Sequence, residues 1–176
     1  MEKIKTIAAS IISSKMALKA MLFCLFLGIS LAAPFIKIQL VTGTAVNAVL
    51  FASTMILGVE AGILIGFLPS MVSAFSGLLP VALLPMIPYI IASNAILVLV
   101  FGLLRKRNFW VGAVLASIIK FAFLFVSSSF IIGFFLQKPM PKAIISMMGF
   151  PQLITALAGA ITVYALSFFI NFKNAK

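Results

Sequence analysis

From Trp110 to Leu136 the chain reads WVGAVLASIIKFAFLFVSSSFIIGFFL, an apolar run broken by one charge, Lys120. The run exceeds the roughly 20 residues that a helix needs to cross about 30 Å of hydrocarbon. With Trp110 at the water interface, Lys120 lies about 15 Å in, at 1.5 Å per residue. That is close to the midplane, too deep for an easy reach back to water. A charge there costs roughly 3 kcal/mol on insertion scales, so the residue reads as functional until its partner is found.

Composition points the same way. Of 176 residues, 64% are hydrophobic and 9% charged, a balance that a soluble chain of this size does not sustain. The net charge of +11 does not indicate nucleic acid, because the basic residues gather at the ends of apolar runs. Histidine is absent, the acids are Glu2 and Glu60, and the one cysteine is Cys24. Those absences remove histidine-dependent triads, most general acid–base machinery, the usual metal-ligand clusters and any internal disulfide. No G-x-x-x-x-G-K-[ST] occurs, so the chain has no P-loop of its own. Neither an enzyme nor a bound cofactor or metal is expected.

The expected fold is an all-α, polytopic single membrane domain over residues 1–176. Residues 1–19 carry Lys3, Lys5, Lys15 and Lys19 among apolar residues at helical spacing, which predicts a short interfacial amphipathic leader. Six spans follow, at about 20–35, 40–57, 61–79, 86–104, 110–136 and 150–172. Ser30-Leu-Ala32 resembles a signal-peptidase site, but the charged leader is long for a signal peptide. Gly58, Gly62 and Gly66 repeat every four residues, a pattern that admits a close helix neighbour. Pro80, Pro85 and Pro88 crowd one stretch, which reads either as a folded loop or as a broken helix start. An even number of spans puts both termini on one side. That side carries Lys3, Lys5, Lys15, Lys19, Arg105, Lys106, Arg107, Lys173 and Lys176, against Lys37, Lys138 and Lys142 on the other. Nine against three places both termini in the cytoplasm.

On a 3.6-residue period Lys120 shares its face with Ala113, Ala116, Ser117, Ser127 and, approximately, Ser128. The sixth run has a matching stripe of Gln152, Thr155, Ala156, Gly159 and Thr162. Asn94 in the fourth run and Asn47 in the second are the other strong hydrogen-bonding groups at depth, so these faces are expected to meet inside the bundle. No acid in a span is there to neutralise Lys120. The lysine is then neutral, held by carbonyls and amides, or paired with a ligand that carries a carboxylate or phosphate.

The segments TAVNAVLFASTMILGVEAGILIGFLPSMVSAFSGLLP and MIPYIIASNAILVLVFGLLRKR resemble the substrate-binding S components of energy-coupling factor (ECF) vitamin transporters. Size, six spans, cytoplasmic termini and the Pro-rich loop between the third and fourth runs are similar too. The resemblance implies a prokaryotic plasma-membrane protein that binds a vitamin-like small molecule from outside, near the outer ends of the later helices. It also implies partners, namely a membrane coupling subunit and two ATP-binding subunits. On this reading the substrate-binding residues are Lys120, Asn94, Ser127, Gln152, Tyr89 and Asn47. Many members dock through Ala-x-x-x-Ala in the first helix; here Gly28-x-x-x-Ala32, with Ala20 and Cys24 before it, makes Ala20, Gly28 and Ala32 the candidates. The nickel and cobalt branch relies on an N-terminal histidine, which this chain lacks. The competing reading is a small oligomeric channel or secondary carrier. A coupled carrier would normally show an intramembrane acid or an inverted repeat, and neither is evident.

Overall fold

A computed structural model describes residues 2–75, 81–135 and 148–169, and among them all regular structure is helical. Helix α1 runs Glu2–Ala32 and ends in a 3-10 turn, Ala33–Ile36. Next come α2 (Gln39–Ile56) and α3 (Val59–Phe75). A 3-10 segment, Val81–Met86, leads straight into α4 (Ile87–Leu104). The remaining helices are α5 (Phe109–Phe135) and α6 (Phe150–Phe169).

Five segments are long and apolar enough to cross a membrane: Ser14–Ile36, Gln39–Ile56, Leu84–Leu104, Phe109–Phe130 and Phe150–Phe169. The apolar part of α3, Val59–Val72, is shorter than these. One expectation changes, and one open alternative is resolved. The leader is no separate element, since residues 2–32 form one unbroken helix. Between Lys15 and Cys24 every residue is a fair helix former, and neither glycine nor proline is there to stop propagation. The stretch around Pro85 and Pro88 is a broken helix start, because proline is tolerated in the first turn where its missing N–H has no helical acceptor. Pro80 and the Gln137–Lys142 turn lie outside the described residues.

The connections explain the bundle's two ends. At one, α2 stops where the N–H groups of Leu57 and Gly58 both donate to the Ser53 carbonyl, at 2.7 and 3.2 Å. Gly58 adopts φ +107°, a conformation that glycine tolerates freely. At this same end Asn108 caps α5, its Oδ1 accepting from the N–H groups of Trp110 (2.8 Å) and Val111 (3.2 Å). We call it the Arg105 end. The opposite, Lys37 end holds the Ala33–Ile36 turn, where Thr42 Oγ1 donates to the Ala33 carbonyl at 2.9 Å.

Small residues set the packing. A Cβ added to Gly159 on α6 would lie 2.7 Å from the Ala48 backbone nitrogen on α2, so those two helices touch backbone to backbone. On α3, Gly62 faces Thr54 and Val98, while Gly66 faces Leu50 and Asn94. Of the every-fourth-residue glycines, Gly62 and Gly66 therefore serve packing within the chain, between α2 and α4, and Gly58 serves the turn. Leu50, Phe51, Ile65, Leu97, Val98 and Phe101 fill the core, and the Phe51 and Phe101 rings meet edge to face at 4.8 Å.

The distribution of polarity is inverted relative to a protein dissolved in water. Leu103, Phe75 and Phe169 are 75%, 84% and 87% exposed, while Asn47, Ser53, Thr54, Ser93, Asn94 and Lys120 are buried. Several of the buried hydroxyls fold back onto their own helix. Thr54 Oγ1 donates to Leu50 O at 2.6 Å, and Ser117 Oγ donates to Ala113 O at 2.7 Å. An apolar exterior over a polar interior that is mostly hydrogen-bonded, with Ser30 Oγ and Arg105 Nε the buried exceptions among the described residues, suits a lipid surround.

Candidate functional site

Lys120 lies eleven residues into α5, counting from Phe109, roughly 16 Å along the axis from the Arg105 end. It is 3% exposed. Its Nζ donates to Asn47 Oδ1 at 2.6 Å and to Asn94 Oδ1 at 2.8 Å. An ammonium only donates, so each amide must turn its oxygen inward and is left to donate outward through Nδ2. Asn94 Nδ2 donates to the Gly66 carbonyl of α3 at 3.2 Å. Asn47 Nδ2 donates to Thr155 Oγ1 of α6 at 3.3 Å, and Thr155 Oγ1 donates in turn to the Gln152 carbonyl at 3.1 Å. One cation thus organises a chain of hydrogen bonds that reaches α2, α3, α4, α5 and α6.

Each helix supplies its member for a local reason. Pro69 carries no N–H, so the Ile65 carbonyl lacks the backbone donor that a helix normally supplies four residues on. One residue on, the Gly66 carbonyl takes two side-chain donors, Asn94 Nδ2 from α4 and Ser70 Oγ from its own helix (3.3 Å). Gly66 and Gly159 let α3 and α6 approach Asn94 and Asn47 closely enough for the short amide arms to reach. On α5 the neighbours of Lys120 on its own face, Ala113, Ala116 and Ser117, are fully buried and small.

Comparison with family models, curated proteins and solved structures finds no match. The site is therefore read from its own geometry.

Of the six residues the sequence points to, Lys120, Asn94 and Asn47 are brought into direct contact. Ser127 is buried on α5 two turns from Lys120 toward the Lys37 end. Tyr89 is part-buried at the start of α4, its ring 6.4 Å from Phe123 on α5. Gln152 is part-buried in the first turn of α6 and joins the chain of bonds through its carbonyl. These three residues lie on the Lys37 side of the lysine. Thr162 is exposed, so the polar stripe of α6 ends before it. Sequence reading had no signal for the Gly66 carbonyl as an acceptor.

Among the described residues no group of His, Cys, Asp and Glu could hold a metal ion. Glu60 is exposed in the first turn of α3, six residues and roughly 9 Å along the axis from Gly66. The acceptors facing Lys120 are neutral. Such oxygens solvate an ammonium without cancelling its charge.

The proposed docking residues are all on the outer side of α1. Ala20, Cys24, Gly28 and Ala32 are exposed at four-residue intervals, and a Cβ on Gly28 would meet nothing within 4 Å.

Proposed function

We propose that the chain is the membrane-embedded substrate-binding subunit of an ECF-type importer. It captures a vitamin-like small molecule from outside and delivers it through a coupling subunit driven by two ATP-binding subunits. The observation that carries this reading is a buried cation held by two amides and facing no acid. A lysine retained only to bolt helices together has cheaper substitutes, since replacing buried charges with apolar side chains is often neutral or stabilising. A solute site gives the charge a purpose.

In this reading α3 also counts as a span, making six, and both termini are cytoplasmic in a prokaryotic plasma membrane. The Lys37 end then faces outward, and Tyr89, Ser127 and Gln152 lie between the outside and Lys120. The exposed small-residue face of α1 meets the coupling subunit.

Single cysteines at Asn108 and Gln137, in a Cys24→Ser background, test the orientation with an impermeant thiol reagent on intact cells. Labelling at position 137 and protection at 108 are expected; the reverse inverts the topology. For function, the purified chain in liposomes is expected to bind solute but not concentrate it, with uptake requiring ATP and further subunits. Concentrative uptake by the chain alone would favour a secondary carrier and sink the importer reading.

A further inference from the structure

We infer that the solute held at Lys120 is a singly charged carboxylate carried on an apolar or aromatic body. This inference rests on Lys120 being a solute site, and it narrows the solute by charge, by hydrogen-bond inventory and by surroundings.

Charge comes first. At the depth of the site Lys120 is the one formal charge among the described residues. The nearest other cation along α4 is Arg105, eleven residues and roughly 16 Å from Asn94, and Lys37 is exposed at the opposite end. A neutral solute leaves the positive charge uncompensated in a low-dielectric interior. A phosphate dianion replaces that with an uncompensated negative one. Only a monoanion brings the buried site to neutrality.

The donors and acceptors sharpen this. An ammonium has three N–H groups and a side-chain amide two. Lys120 uses two of its three on Asn47 and Asn94, and each amide gives one N–H to Thr155 or Gly66. By count among the described residues, one N–H on Nζ and one on each Nδ2 are left for a solute. Both amide oxygens are already turned to the lysine. A site that offers mainly donors suits a group that only accepts, and an ionised carboxylate has two oxygens for the task. A hydroxyl, an ammonium or a guanidinium would bring donors where donors already crowd.

The body follows from the two turns toward the Lys37 end. Leu124, one turn beyond Lys120, and Met86, two turns before Asn94, are buried, and the Tyr89 and Phe123 rings stand 6.4 Å apart. These neighbours are apolar and aromatic, and Ser127 adds a hydroxyl two turns from Lys120.

The test uses the purified full chain in nanodiscs, with no ATP-binding subunits present. Its probes are 5-phenylpentanoate, the matching primary amide, and the matching phosphonate above its second ionisation. Binding is read by calorimetry and by thermal shift. The carboxylate is expected to bind at least about tenfold tighter than the amide and than the dianionic phosphonate. Asn94→Asp supplies an internal counter-ion and is expected to abolish the carboxylate preference; Asn47→Asp serves if that variant does not fold. Equal binding of the amide, tighter binding of the phosphonate, or no binding by the carboxylate overturns the inference. Mass spectrometry of small molecules carried through gentle purification is a second arm, and a neutral or doubly charged species lost on Lys120→Met also overturns it. Since no coupling partner enters either arm, failure here is separate from failure of the importer reading, which is decided by ATP-dependent uptake.

Discussion

Two buried or half-buried cations, Lys120 and Arg105, are satisfied in different ways. At the end of α4, Arg105 Nη1 donates to the Met55 carbonyl at 2.8 Å. Met55 belongs to the last turn of α2, where backbone carbonyls have no intrahelical donor and the helix dipole favours positive charge. Burial there lowers the arginine pKa from its ordinary value, yet a guanidinium stays charged in proteins. Its Nε is buried without a partner. Lys120 sits in the middle of helices whose carbonyls are already engaged, so the oxygens it needs come from side chains, Asn47 and Asn94. A cation at a helix end finds its acceptors ready made. A cation at mid-depth requires residues dedicated to it, and here two of the strongest amide groups in the spans serve that purpose.

The sharpest way to break this contrast is to remove one dedicated acceptor. Asn94→Leu leaves Lys120 with one amide and is expected to cost about 3 kcal/mol of stability. The measurement is the unfolding midpoint in detergent, and adding Lys120→Met to the same chain should recover most of the loss. Wild-type stability in the single variant would mean that the lysine–amide bonds do not hold α4. Next in size is Lys120→Met alone. Affinity for an anionic solute should fall about 10- to 100-fold, with 1.4 kcal/mol for each factor of ten. The empty protein should melt no lower than wild type. Lys120→Arg should also bind worse, because a planar fork does not reproduce a compact ammonium. Unaltered affinity in the Met variant would remove Lys120 from the site.

Arg105→Met is expected to cost about 1 kcal/mol or less, since a carbonyl at a helix end can turn to water. A melting temperature as low as that of Asn94→Leu would erase the distinction between the two cations. The smallest effect on stability is expected for Gly28→Leu, because the position faces open space. Its consequence should show in co-purification with a coupling subunit, which added bulk obstructs. A destabilised chain that still assembles would relocate the docking face.

The polar cluster was legible because Lys, Asn and Thr stand out against apolar runs and share helical faces. Lys120, Asn47 and Asn94 meet for that reason. The limits of α2 and α4 and the start of α5 likewise follow the apolar runs closely, since Gly58 and the Arg105–Asn108 turn are strong stops. What escaped the sequence was backbone chemistry. No residue type announces that the Gly66 carbonyl will accept from Asn94, because every residue carries a carbonyl and the close approach of α3 to α4 is what brings this one within reach. The continuity of α1 escaped for a related reason. Charge patterning at Lys15 and Lys19 marks where the bilayer begins, and a helix need not break there.

The order of the hydrogen-bonding residues along the chain bears on biogenesis. Asn47, Gly66 and Asn94 are all synthesised before Lys120, and Thr155 after it. A lysine entering an empty bilayer meets a barrier of roughly 3 kcal/mol at the helix centre. Here Asn47 and Asn94, which carry both of the oxygens Lys120 uses, precede α5 in the chain. The ribosome delivers the acceptors first, so the charge need never be alone in lipid.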